Sequence, residues 1–150
     1  MKALTLTQPW ATLVAIGAKR IETRSWSTNY RGPLAIHAAK GFPAWARDFG
    51  QCRLVLETLK SSAPHSLAIY ATGVVLATCN LVDVKMIVGT RDGLGPCRDA
   101  ARMLPPSEPE LLFGDYEPGR YAWMLEDVRQ FAEGVPAKGA LGLWEWKPRE

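Results

Sequence analysis

Three cysteines, two histidines and no long apolar run are what this 150-residue chain has least of. Cys52, Cys79 and Cys97 stand 27 and 18 residues apart, which fits no zinc-ligand pattern, and His37 and His65 are distant in sequence. A structural metal is therefore not expected, and neither is a cofactor. The odd, sparse cysteine count follows a start without a continuous apolar segment, which predicts a reducing, cytoplasmic setting rather than a disulfide scaffold. No apolar stretch approaches the ~18–20 residues that a membrane-spanning helix needs, so no membrane partner is expected. There is no G-x-G-x-x-G, which disfavours a Rossmann-type fold. No Cys/His or Ser/His spacing supports a nucleophilic triad. Internal repeats and low-complexity tracts are absent as well.

What is present is a globular balance of 47% hydrophobic and 22% charged residues, which excludes disorder as the overall state. About 150 residues make a single domain over 1–150 the expectation, large enough to bury a core unaided. The net charge of +3 is too weak to point to nucleic acid by itself. Its distribution is uneven. Residues 1–53 carry eight Lys or Arg and two Asp or Glu, a net +6; residues 54–150 carry ten and thirteen, a net −3.

Hydrophobic periodicity outlines the elements. Lys2 to Thr7 alternates as a strand with Leu4 and Leu6 on one face, and residues 9–16 read as a short helix opened by Pro9 and closed by Gly17. Strands follow at 21–26 and 34–38, separated by a turn at Ser27-Thr28-Asn29. Phe42, Trp45, Phe49, Cys52, Leu56 and Leu59 recur every three or four residues, which predicts one helix over 42–60. Residues 71–88 are β-rich and too apolar to alternate, as in a strand covered on both faces. Five prolines and five glycines make residues 89–119 a long irregular excursion with at most short helices. The last strands fall at 120–132 and 141–147. The sum is mostly β with helices (α+β), a small barrel decorated by short helices.

The densest polar cluster is Gly17-Ala18-Lys19-Arg20-Ile21-Glu22-Thr23-Arg24-Ser25-Trp26. In an extended segment Glu22, Arg24 and Trp26 project from one face, with Lys19 in the turn before them. A guanidinium forks onto a phosphate, an indole offers a stacking plane, and a neighbouring amine and carboxylate can share a proton. The competing reading is a solvated strand edge with a surface ion pair and one packed Trp, and spacing weighs the two evenly. Tyr30 and Arg31 come one turn later and can face the same patch, whereas Asn29 and Pro33 fit an ordinary turn. His37, between Ala35 and Ala39, fits either a ligand cavity or, preferably, a hydrogen-bonded, partly buried position. The aromatic stripe at 42–60 reads as helix packing, and Cys52 and Cys79 as inert core.

Taken in order, these residues carry a resemblance. Gln8-Pro9-Trp10-Ala11, Gly17-x-Lys19-x-x-Glu22-x-Arg24 followed by Trp26, and Tyr30-Arg31-Gly32-Pro33-Leu34-Ala35-Ile36-His37-Ala38 are its main blocks. Thr72-Gly73-Val74-Val75, Arg120-Tyr121-Ala122-Trp123 and Gly142-Leu143-Trp144 complete it. The chain resembles the ASCH (activating signal cointegrator homology) domain over nearly its whole length, the 89–119 stretch being least characteristic. The resemblance implies a PUA-like small β-barrel flanked by two or more short helices, with a cleft whose floor carries the G-x-K-x-x-E-x-R segment. It implies RNA or nucleotide as partner. Lys19, Glu22 and Arg24 hold the motif positions, Trp26, Tyr30 and Arg31 the walls, and His37 is a further ligand-side candidate.

Some ASCH-like proteins hydrolyse the amide of N4-acetylcytidine with the motif lysine, a threonine at the position matching Glu22 and a further glutamate. Here Glu22 replaces that threonine, and no motif places the other glutamate. An amidohydrolase or a ribonuclease using Lys19 and Glu22 is thus the alternative to a binding module. A protein-interaction adaptor, using the proline-rich 103–118 stretch, is the third reading. Lys19, Arg24 and Arg31 are expected around one cleft, while Lys2, Arg47 and Arg53 are expected to be solvated.

Overall fold

A computed structural model describes residues 1–62, 70–88 and 108–148 of the chain. Within them the elements run β1 (Lys2–Leu6), α1 (Trp10–Ala15), β2 (Ile21–Arg24), β3 (Gly32–Ala38), α2 (Ala44–Gly50), α3 (Arg53–Ser62), β4 (Val74–Met86), α4 (Glu108–Leu112), β5 (Tyr121–Pro136) and β6 (Leu143–Glu145). The strands form one mixed sheet in the order β2-β5-β4-β3-β1-β6. The fold is α+β, as the periodicities predict. Two compact units emerge: Met1–Lys19, Pro33–Asn80 and Asp127–Glu150 make the first, Arg20–Gly32 and Leu81–Glu126 the second. Strands β4 and β5 each contribute to both.

In the first unit β1 runs parallel to β3, with Thr5 opposite His37, and antiparallel to β6, with Ala3 opposite Trp144. Strand β1 buries Ala3 as well as Leu4 and Leu6, so both of its faces are covered. Ala3, Ala35, Val75 and Trp146 form a core cluster against which Phe131 and Val135 pack. Gln8 is fully buried between β1 and α1. Its amide nitrogen donates to the Ala71 carbonyl at 2.8 Å, and its amide oxygen accepts the Thr12 N–H at 3.0 Å. Thr12 lies in the first turn of α1, where backbone donors have no partner within the helix, so the glutamine supplies one. Beyond α1, Gly17 adopts φ +77°, a left-handed conformation that stops the helix where the sequence predicts.

Three expectations change here. The helix over 42–60 is two helices, α2 and α3, broken at Gln51-Cys52. Gly50 is the reason: the Tyr70 hydroxyl donates to its carbonyl at 2.7 Å, and a Cβ at Gly50 would stand 3.0 Å from the Tyr70 ring. A periodic stripe survives such a break because it records which side chains face the core, not whether the backbone is continuous. Strand β4 also alternates after all. Val75, Ala77, Cys79 and Leu81 are buried while the residues between them are half-buried. The other face, with Leu76, Thr78 and Asn80, is only partly covered. Strand β5 runs four residues past the expected end at 132. A Cβ at Gly134 would lie 2.7 Å from Val74, so the glycine serves close packing within this strand.

In the second unit β2 pairs antiparallel with β5, setting Glu22 opposite Trp123 and Arg24 opposite Tyr121. Ile21, Ile87 and Ala122 form its core, with Tyr116 and Met124 packed against it. The 89–119 excursion is described only from 108, where it holds the short helix α4; His65, Cys97 and residues 103–107 of the proline-rich stretch lie outside the described residues. Among the described residues no helix is long and apolar enough to cross a membrane.

The buried amide of Gln8 yields a stability prediction. Gln8→Leu keeps the volume but leaves the Ala71 carbonyl and the Thr12 N–H without the amide, and is expected to destabilise the fold by about 2 kcal/mol. Urea unfolding of the two proteins measures this, and an unchanged midpoint would show that the amide does not anchor α1.

Candidate functional site

Strand β2 ends at Arg24, two residues before the expected end at 26, and the polar cluster it carries is mostly drawn inward. Ile21, Glu22 and Thr23 are all buried and Arg24 is half-buried. Glu22 and Arg24, two apart on an extended segment, share a face, and the Arg24 Nε lies 3.2 Å from the Glu22 Oε1. Their side chains are 24% and 11% exposed for Arg24 and Glu22 respectively, so this is a largely desolvated pair and not the surface pair of the blander reading. Trp26 lies just past the strand. Its half-buried ring meets the fully buried Trp123 ring at 4.7 Å and 82°, and the Trp123 indole N–H donates to the Trp26 carbonyl at 3.3 Å.

The chain then turns through Thr28, whose hydroxyl accepts the Tyr30 N–H at 3.1 Å. Arg31 clamps the same turn. Its Nη1 donates to the Thr28 and Tyr30 carbonyls, both at 2.9 Å, and its Nη2 reaches Asp83 at 3.4 Å. Gly32 has φ +125°, and a side chain there would meet the Tyr30 hydroxyl, so the tyrosine folds back over the glycine. Arg31 is thus ordered, and part of its charge is compensated by Asp83.

A residue that sequence reasoning missed organises this unit. Glu110 of α4 is buried, and its two carboxylate oxygens accept the backbone N–H groups of Arg20 at 2.9 Å and Ile21 at 3.0 Å. These two donors open β2. Thr23 ties in the next segment: its hydroxyl accepts the Asp115 N–H at 2.9 Å and its carbonyl accepts Arg120 at 3.3 Å. Tyr116 lies beside the two carboxylates, and burial, then the charges of Glu110 and Glu22, push its phenol far above the usual tyrosine range. It stays protonated. Its buried hydroxyl has no hydrogen-bond partner among the described residues. Only one sequence signal pointed to Glu110: Ser107-Glu108-Pro109-Glu110 ahead of Leu111-Leu112-Phe113 has the spacing of a helix start. Nothing in that pattern says the carboxylate serves another strand.

Lys19 and His37 belong to the first unit. Lys19 is 1% exposed, a rare state for an ammonium-bearing residue, and its backbone N–H donates to the Leu13 carbonyl at 2.9 Å. His37 is buried in β3 and satisfied on both ring nitrogens. The Trp144 indole donates to the Thr5 hydroxyl (3.1 Å), the hydroxyl donates to His37 Nδ1 (3.2 Å), and His37 Nε2 donates to the Ala137 carbonyl (3.1 Å). A neutral imidazole whose Nε2 carries the hydrogen satisfies this chain, since the Ala137 carbonyl can only accept. Burial lowers its pKa against the opposing pull of the Ala137 bond. The structure therefore joins Glu22 with Arg24, and Arg31 with the Tyr30 backbone, while the hydrogen bonds of His37 all run within the first unit.

The family model for the ASCH domain matches residues 4–133. The chain belongs to the ASCH domain family. Activating signal cointegrator 1 of Mus musculus is 34% identical over 80 residues, and that of Homo sapiens 32% over 80 residues. In both cases the match covers 53% of this chain and 14% of the relative, so this ASCH domain corresponds to a small part of those proteins. Among the described residues of the domain no three His, Cys, Asp or Glu side chains gather as metal ligands.

Two measurements test these assignments. Glu110→Gln removes one charged acceptor from the start of β2 and is expected to cost about 2 kcal/mol. Amide exchange at Arg20 and Ile21 should quicken most in that variant, whereas a uniform change across the domain would show that the bonds are not local anchors. For His37, the unfolded pKa is about 6.5 and the folded value lies lower, so the unfolded state binds the proton first on acidification. Stability should therefore fall as pH drops below about 6.5 towards the folded pKa, and His37→Gln should flatten that slope in urea titrations.

Proposed function

We propose that this ASCH domain binds RNA or a nucleotide through the segment from Lys19 to Arg31. One observation carries the reading: within three residues the chain holds an Arg24 guanidinium fixed by Glu22 and a Trp26 ring braced by Trp123. A fixed guanidinium forks onto phosphate oxygens, and a half-exposed indole offers a face to an unstacked base. Because both side chains are already ordered, little rotamer freedom is lost when a ligand arrives. Tyr30 and Arg31 extend the same segment, and the net +6 of residues 1–53 attracts a polyanion at longer range. The burial of Glu22 leaves Arg24 as the side chain of the pair that meets phosphate.

A second reading, hydrolysis of a modified nucleoside, is favoured by the burial of Lys19 and Glu22, an amine and a carboxylate three positions apart. In that reading Lys19 polarises the acyl group or activates water, Glu22 shuttles the proton and Arg24 stabilises the developing oxyanion. Glu110 acts as an anchor in either case, since both its oxygens are engaged by backbone donors.

Fluorescence anisotropy with a short single-stranded RNA tests the binding reading. Trp26→Ala should weaken binding about tenfold through lost stacking, and Arg24→Gln should lower the salt slope by about one. Native-like affinity and slope in both variants, with folding checked by circular dichroism, would overturn it. Incubation with N4-acetylcytidine and chromatography for cytidine decides the second reading, which fails if no turnover sensitive to Lys19→Ala is seen.

A further inference from the structure

We propose that a groove beside His37, wholly within the first unit, is a separate binding site for a small organic anion with an apolar body. The groove encloses about 860 Å³, within the range of small-molecule sites. Two ammonium groups line it: Lys40, just after β3, and Lys138, in the connection between β5 and β6. None of its lining residues is an Asp or Glu. Neither lysine meets a carboxylate among the described residues, although Lys2, Arg31, Lys85 and Arg120 each do. The rest of the lining is largely apolar, with Pro136 and Leu141 on it, and Leu141 is 99% exposed. Two cations over an apolar wall describe a guest with an anionic head and an apolar body.

The connection bearing Lys138 is anchored on both sides. Ala137 donates its N–H to the Gly73 carbonyl at 3.1 Å, and its own carbonyl accepts His37 Nε2 at 3.1 Å. Gly139 presses onto the imidazole: a Cβ there would stand 2.5 Å from His37 Cε1 and 2.9 Å from the Thr5 hydroxyl. Only a glycine lets the backbone approach so closely. His37, with both nitrogens committed, is accordingly a positioning residue that seats the connection, and recognition of charge falls to the lysines. The site uses none of the residues from Lys19 to Arg31, so it stands or falls independently of RNA binding.

Titration of the 15N-labelled domain followed by NMR tests the proposal. The probes are phenyl phosphate and benzoate (head and body), inorganic phosphate (head alone) and benzyl alcohol (body alone). Saturable shifts are expected at Lys40, Gly73 and residues 138–142, with at least one aromatic anion binding about tenfold or more tighter than either half-probe. Whichever of the two anions binds tighter identifies a phosphorylated or a carboxylated ligand. Both lysines are exposed, so Lys40→Gln/Lys138→Gln should fold normally and lose about tenfold in affinity. Arg53→Gln, an exposed charge elsewhere, should not. The proposal is overturned if no probe gives saturable shifts at these residues. It is equally overturned if the half-probes bind as tightly as both aromatic anions, or if the double variant binds like the native domain.

Discussion

The second unit depends on one buried carboxylate. Glu110 accepts two consecutive backbone N–H groups at the start of β2, and those donors come from residues about ninety positions earlier in the chain. A carboxylate removed from water needs donors, and backbone amides removed from water need an acceptor, so each requirement answers the other. From this contact onward β2 is paired along its length with β5. Glu22 and Arg24 share a face because they stand two apart on an extended strand, and Thr23, between them, bonds the 113–120 connection. The phenol of Tyr116, held protonated beside the two acids, packs in the space this arrangement creates.

Burying charge in this way trades solvation for geometry. Among the described residues, Lys19, Glu22 and Glu110 are drawn nearly or fully out of water. Such groups add little to stability even when paired, because desolvation offsets the attraction. Their effect is order: a guanidinium held by a desolvated carboxylate explores few rotamers, and the same holds for an indole braced edge-on by another. A segment stiffened like this suits recognition of a ligand with fixed geometry better than a mobile, solvated patch does.

The first unit uses neutral groups to the same end. Gln8 and His37 are each buried with hydrogen bonds at both of their polar side-chain atoms, and each ties together segments distant in sequence. Gly139 and Gly50 show the complementary device, a missing side chain that lets another ring come close. Polar matching and close approach set where the connecting segments lie, and hence where Lys40 and Lys138 stand.

The sequence by itself determined the strands and helices, since period-two and period-3.6 patterns are written in neighbouring residues, and its motif blocks determined the family. It also determined that Glu22 and Arg24 would share a face, because alternation is a local property. The break of the 42–60 stripe at Gly50, the extension of β5 through Gly134 and the partly covered face of β4 depended on neighbours that no local pattern names. The anchoring by Glu110, the satisfied state of His37 and the burial of Lys19 were likewise decided by tertiary structure. Each is a pairing or an exclusion of water across long sequence separations, and a linear chain carries no mark of which distant group will arrive.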